Sequence, residues 1–228
     1  MPEEKDLFYD RFADRFDAEM NRYDLEKRLE VVFRLLPAGD GMRGKDLLDA
    51  GCGTGWFSLA AAEKGAKVTS MDIGPRLLEK VKEKCESRLV EGSLLEMPFP
   101  DASFDFIICT EAIEHTPDPA KAVAELCRAL RPAGTLVLTV PNRFWHFGAV
   151  LANALGLRPY EGRENWVTPS ELRGWLEKGG CAVELLYGFH PVPFCFRPFS
   201  AAASALEAKA GGLLPLMLNL AVKAVKRT

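Results

Sequence analysis

Apolar positions along the chain fall into two alternating rhythms. Short apolar runs at 46–49, 66–71, 87–90, 104–109, 135–140 and 181–187 read as buried strands. Between them apolar residues recur at helical spacing. Leu25, Leu29, Val32, Phe33 and Leu36 mark a helix within 6–36, ended by Pro37 to Gly41. A second helix runs over 56–62 and stops at Lys64-Gly65. A third starts at Pro75 and carries Leu77, Leu78 and Val81 inward. A fourth starts with Asp118 as cap and Pro119 as first residue, with Val123, Leu126 and Leu130 as its inward stripe. A later one opens on a capping box, Thr168-Pro169-Ser170-Glu171, and ends at Lys178-Gly179-Gly180.

This alternation predicts an α/β fold with a mainly parallel sheet and helices on both faces. Ligands of such sheets bind outside the carboxyl ends of the strands. Asp49, Asp72, Ser93, Thr110 and Pro141 lie at those ends, so five positions distant in sequence are expected to converge on one crevice. Two segments break the pattern. Residues 141–167 are rich in aromatics (Phe144, Trp145, His146, Phe147, Tyr160, Trp166), and 189–199 are rich in proline and phenylalanine. They either wall a substrate pocket, the favoured reading, or fill a subsidiary core. The tail 213–227 reads as an amphipathic surface helix or as a last strand, 218–226, antiparallel beside the sixth, and membrane contact through 200–217 stays open beside either.

A chain of 228 residues suits one domain, here taken as 1–228, with a helical cap over 1–44, a core over 45–140 and a substrate-side region over 141–228. A net charge of −3 and a pI near 5.8 argue against an electrostatic nucleic-acid binder and for a small, neutral or apolar substrate. The charged start, Met1 to Asp6, lacks the apolar core of a signal peptide, and no apolar run is long enough to span a bilayer. The six cysteines form no C-x-x-C pair, so zinc is not indicated and reduced thiols in cytoplasm are expected.

The candidate chemistry begins at Asp49-Ala50-Gly51-Cys52-Gly53-Thr54-Gly55-Trp56. A strand runs into a carboxylate, then a turn with glycine at every second position, then a helix. Such a turn presents backbone N–H groups and a helix N-terminus to a ligand. Asp72, 21 positions after Gly51, ends the next strand and is placed to accept from ribose hydroxyls. The dinucleotide fingerprint needs a third glycine where this chain has Trp56. Here the sequence resembles the class I S-adenosylmethionine-dependent methyltransferases. The resemblance implies a Rossmann-like, seven-stranded, mostly parallel sheet whose last strand is antiparallel, and it favours the strand reading of the tail. It implies that Gly51, Cys52, Gly53 and Gly55, with Asp49, hold the methionine end of S-adenosylmethionine, that Asp72 takes the ribose, that Ile73 and Leu94 flank the adenine, and that Thr110 sits near the reacting end. Ser93 departs from the acid or amide common at the adenine contact. Arg28 is one of several arginines that could face the cofactor's carboxylate. The segment Phe8 to Asp17 either closes over the cofactor or is a docked helix. A nicotinamide-dependent oxidoreductase and a non-catalytic cofactor-binding protein are the rival readings.

After the fourth strand comes Thr110-Glu111-Ala112-Ile113-Glu114-His115-Thr116-Pro117-Asp118-Pro119. Helical geometry would put Glu111, Glu114 and His115 on one face. Methyl transfer to a hydroxyl requires removal of its proton, and an imidazole is suited to accept it; a divalent ion held by the three side chains would lower the same pKa. The run Glu-x-x-Glu-His-x-Pro-Asp-Pro, with the apolar helix 149–157, Gly162, Trp166, Pro169 to Leu172 and Trp175-Leu176, resembles the O-methyltransferases of ubiquinone biosynthesis. That implies His115 and Glu111 in catalysis, Glu111, Glu114 and His115 on a magnesium ion, and a polyprenylated catechol or phenol as substrate, with N- or C-methylation of another small molecule as the alternative. The plainer reading is that His115 only orients the loop while both glutamates are solvated. Amino-methylating DNA enzymes carry a different motif after this strand, Asn/Asp-Pro-Pro-aromatic, which Cys109 to Ala112 does not match.

Overall fold

The computed structural model describes residues 7–154, 164–190 and 217–228. Seven strands form one sheet: β1 Asp46–Ala50, β2 Lys67–Asp72, β3 Arg88–Glu91, β4 Phe104–Thr110, β5 Leu130–Pro141, β6 Cys181–Phe189 and β7 Asn219–Lys226. Their order is β3-β2-β1-β4-β5-β7-β6. β1 to β5 pair in parallel, and β7 runs antiparallel between β5 and β6. The α-helices among the described residues are α1 Ala13–Glu19, α2 Arg22–Leu35, α3 Trp56–Glu63, α4 Pro75–Lys84, α5 Pro119–Ala129, α6 His146–Ala154 and α7 Pro169–Lys178.

The alternation of side chains along each strand divides the core in two. On β1, Leu48 and Ala50 enter one apolar cluster and Leu47 the other. On β4, Ile107 and Cys109 face one side, and Phe106 and Ile108 the other. Both faces of the central strands are therefore covered, as in a parallel sheet flanked by helices.

The tail is the strand, not a surface helix. β7 fills the slot beside β5 and β6, and Leu220, Val222 and Ala224 sit fully buried in the core. Of the expected membrane-contact region 200–217 only Met217 lies within the described residues, and it is buried. Tyr160 and most of 189–199 also lie outside them. No helix among the described residues is long and apolar enough to cross a membrane.

The N-terminal helix is two helices. The chain extends at Met20, where ψ is 136°, and Asn21 caps the restart by accepting from the Asp24 N–H. The caps expected further on are present: Asp118 accepts from Lys121 N–H, and Thr168 and Glu171 form a reciprocal capping box.

Gly55 opens α3 with φ of +89°, and a Cβ there would stand 2.9 Å from the Val81 side chain of α4. Its lack of a side chain thus serves close packing of α3 on α4. Gly55→Ala is expected to lower stability by about 2 kcal/mol from left-handed strain, with the clash added. Urea denaturation reads the loss, and Val81→Ala in the same background should recover only the steric part.

Candidate functional site

The parallel sheet switches direction between β1 and β4, and the glycine turn after β1 opens at that point. A cavity of about 1040 Å³ lies there, above the usual range of about 300–1,000 Å³ for a single-ligand pocket. Its wall includes Gly51, Gly53, Asp72, Leu94 and Thr110 on the strand ends, and Glu111, Glu114 and His115 on the loop after β4. Trp145, Gly148 and Ala149 of the aromatic segment and Trp166 also line it, which supports the pocket-wall reading for the described part of that segment. Phe144 and Phe147 instead face outward, at 59% and 78% exposure.

The motif residues divide their work. Gly53 has φ of +52° and open space where a Cβ would be, so the turn's backbone is bare toward the cavity. Gly51 is held close to the loop after β4, where a Cβ would meet Ala112 at 2.6 Å. Gly55 and Asp49 are not on the cavity wall. The Asp49 carboxylate lies beneath the turn, buried, accepting from the Ser58 hydroxyl at 2.7 Å, with Ser70 and Ser87 continuing the hydroxyl chain. Burial pushes it up to about 7, and the nearby Asp72 charge adds to the rise against the Ser58 hydrogen bond.

Asp72, Ile73, Ser93, Leu94 and Cys52 all reach the cavity. One Asp72 oxygen accepts from Gly53 N–H and the other from Gly74 N–H, each at 2.9 Å. Burial raises its pKa against these backbone donors. Ser93 accepts from Leu95 N–H with its hydroxyl oxygen, so its O–H stays available to donate. Burial pushes the Cys52 thiol well up, which makes it a packing residue at the turn.

The loop after β4 departs from the expected helix face. Glu111 takes φ of +48°, and only Ile113–His115 form a short 3-10 turn. Neither glutamate is solvated. Glu111 accepts from the Asn219 amide at 2.8 Å, from the start of β7. Glu114 is 2% exposed, and Asn165 clamps its segment by donating its N–H to the Glu114 carbonyl and its amide to the Thr116 carbonyl. Burial, opposed by the Arg28 guanidinium, pushes Glu111 up to about 7; burial and the Glu111 charge push Glu114 well above the carboxylate range. Arg28 lines the cavity, pairs with Asp24, and Asp24 in turn pairs with His190 at 3.1 Å.

Among the described residues, no three His, Cys, Asp or Glu side chains converge to hold a metal ion. Glu111 accepts from the Asn219 amide, the Tyr9 hydroxyl lies beside His115, and the Arg28 guanidinium acts on both carboxyls. The expected magnesium trio is thus not assembled in this arrangement.

The N-terminal segment contributes more than its pattern revealed. Asp17 accepts from the Thr54 hydroxyl at 2.6 Å and from the Trp56 indole N–H at 3.0 Å, and pairs with Lys84. Lys84 also stacks on the Trp56 ring. Trp56, unexpected where a dinucleotide fold has glycine, is therefore an anchor for this segment. Leu7, Tyr9, Asp10, Phe16 and Met20 line the cavity, in keeping with closure over it. Spacing alone could not have found Asp17, Asn165 or Asn219, because each acts on residues far away in sequence.

A switch-point cavity with a bare glycine turn and an acid at the end of the second strand defines an α/β protein that binds a nucleotide-type cofactor. The comparisons narrow this. The methyltransferase-domain family matches residues 48–138. The chain is 33% identical over 165 residues to a ubiquinone biosynthesis O-methyltransferase of Coxiella burnetii, covering 67% of this chain and 70% of that one. It is 34% identical over 130 residues to a malonyl-[acyl-carrier protein] O-methyltransferase of Serratia marcescens, covering 56% and 51%. In fold it is similar to an S-adenosylmethionine-dependent methyltransferase of Mesorhizobium loti, with a TM-score of 0.67, 20% identity and coverage of 86% and 96%. It is also similar to the [4+2]-cyclase SpnF, with a TM-score of 0.72, 16% identity and coverage of 100% and 97%. The chain belongs to the class I S-adenosylmethionine-dependent methyltransferases.

Asp49 and Glu111 set a pH dependence. Folded, each holds its proton up to about pH 7; unfolded, each has released it by about pH 4–5. The folded chain therefore binds more protons in that window, and stability falls as pH rises through it, the Asp49 and Glu111 share of the fall being complete above about 7. Urea midpoints of the ligand-free protein should decline from pH 5 to 7. Asp49→Asn should flatten part of that decline, gaining on the parent by a few kcal/mol between pH 5 and pH 8.

Proposed function

We propose that the chain methylates a hydroxyl of an apolar small molecule, quinone-precursor-like, with His115 as the general base. The observation that carries the reading is the placement of His115 on the wall of the same cavity as the bare glycine turn. The relatives named as ubiquinone biosynthesis O-methyltransferases support the acceptor class.

In this reading the bare backbone at Gly53 faces the methionine end, and Arg28 its carboxylate. Asp72 receives the ribose hydroxyls on lone pairs left free by Gly53 and Gly74. Ile73 and Leu94 sandwich the base, and the Ser93 hydroxyl donates to it. Asp49 supports the turn from below through Ser58. Bound S-adenosylmethionine supplies a methyl carbon whose bond to sulfur breaks, the pair leaving on sulfur, as the acceptor oxygen bonds to that carbon. His115 takes the hydroxyl proton on its imidazole. Glu114, whose Oε1 stands 3.9 Å from Nε2, faces the imidazolium formed. Thr110 borders the reacting end, and Trp145 and Trp166 give the acceptor apolar walls. No metal enters this scheme.

His115→Ala is expected to leave S-adenosylmethionine affinity, measured by calorimetry, within about twofold while slowing turnover at least about 100-fold. The assay is a methyl-transfer screen over apolar catechols, phenols, amines and carboxylic acids. An unchanged rate would make His115 structural, and preference for amines or acids would replace the acceptor class. Turnover should persist in EDTA; a loss restored by magnesium would reinstate Glu111, Glu114 and His115 as metal ligands.

A further inference from the structure

We propose that Tyr9 is a positioning residue for His115, delivered by an N-terminal strap that spans the cavity from α4 to the loop after β4. The proposal rests on the reading of His115 as the base. The Tyr9 hydroxyl lies 3.4 Å from His115 Nε2, and the two rings meet edge to face with centroids 5.1 Å apart. Both side chains line the cavity. Phe16 also meets the Tyr9 ring edge to face, with centroids 5.5 Å apart, which restrains the phenol's direction.

What holds the strap is a set of acids spaced to match α4. Pro75 at the first position of α4 has no N–H, and the cap residue Gly74 has no side chain to offer. The exposed donors are thus Arg76 and Leu77, and Asp10 accepts from both at 2.8 and 3.2 Å, from 66 and 67 residues away. A Cβ at Gly74 would stand 2.7 Å from that carboxylate, so the glycine admits it. Asp14 then pairs with Arg76 and Lys80, and Asp17 with Lys84. Positions 76, 80 and 84 form one basic stripe, four residues apart. The hydrogen bond from Lys80 and the charges of Lys80 and Arg76 hold the Asp14 carboxyl below its ordinary range.

Tyr9 is consequently anchored on one side of the cavity while its hydroxyl meets the base on the other. A ligand confined under the strap meets an imidazole already oriented at Nε2. With the strap released, that ring loses its partner from the N-terminal segment, so docking of the strap and assembly of the acid–base group are one event.

The test uses the full chain labelled with nitrogen-15. The three histidines, 115, 146 and 190, give few ring signals to assign. Tyr9→Phe keeps the ring and its packing while deleting the hydroxyl. It should move the His115 Nε2 resonance and leave those of His146 and His190 in place. With 4-tert-butylcatechol as acceptor, kcat should fall about tenfold with the KM for S-adenosylmethionine within about twofold. Asp14→Lys, which sets a third cation against Arg76 and Lys80 without touching the cavity, should move the same resonance. An unmoved His115 signal in Tyr9→Phe overturns the proposal whatever the turnover does, and one unmoved in Asp14→Lys overturns the strap as its cause. A normal rate in His115→Ala overturns the assignment of the base instead.

Discussion

The central strands are covered on both faces, and that constraint organises everything else. Leu47, Leu48, Ile107, Ile108 and Leu136 to Leu138 are fully buried, so β1, β4 and β5 have no wet side on which to carry polar groups. Polar chemistry appears where these strands run out, at their carboxyl ends. There the backbone turns, and Asp72, Thr110 and Glu111 meet one cavity. The apolar sheet thus dictates the place of the site before any catalytic residue is considered.

Gathering carboxyl groups at one buried edge has an electrostatic consequence. Asp49, Asp72, Glu111 and Glu114 are all raised by burial, and for each a neighbouring carboxylate adds to the rise. For Asp72 the added rise comes from Asp10 of the strap. Relief comes from backbone donors at Asp72, from Ser58 at Asp49 and from Asn219 and Arg28 at Glu111. Such an edge favours a cofactor that carries positive charge, as the sulfonium of S-adenosylmethionine does. The strap obeys the same electrostatics at the surface, where exposed acids answer the basic stripe of α4 and remain open to screening by salt.

Fold and acceptor separate cleanly. A [4+2]-cyclase shares this architecture at a TM-score of 0.72, and relatives named for different acceptors match the same core. The shared part is the fold. Function is set by the groups mounted on such a fold, here the loop 111–117, the aromatic segment and the strap.

The sequence by itself determined the elements and their order. Apolar runs gave the strands, the caps at Asp118 and Thr168 were readable because a cap acts on residues two or three positions away, and the turn with its spaced acid located the cofactor edge. It did not determine contacts whose partners are remote. Local spacing put Glu111, Glu114 and His115 on one helical face, yet Glu111 adopts a left-handed backbone because Asn219 from the last strand and the Thr139 carbonyl hold it. The plainer reading left both glutamates solvated, and folding buried Glu114 and half-buried Glu111. Asp49 reads as a ligand-facing acid and lies under the turn, and Gly55 reads as a ligand contact and serves the packing of Val81. Asp10 caps a helix 65 residues further on, an arrangement no window of sequence contains. Periodicity records what a residue does for its own element; which elements then meet, and which groups lose water together, is decided only when the chain closes.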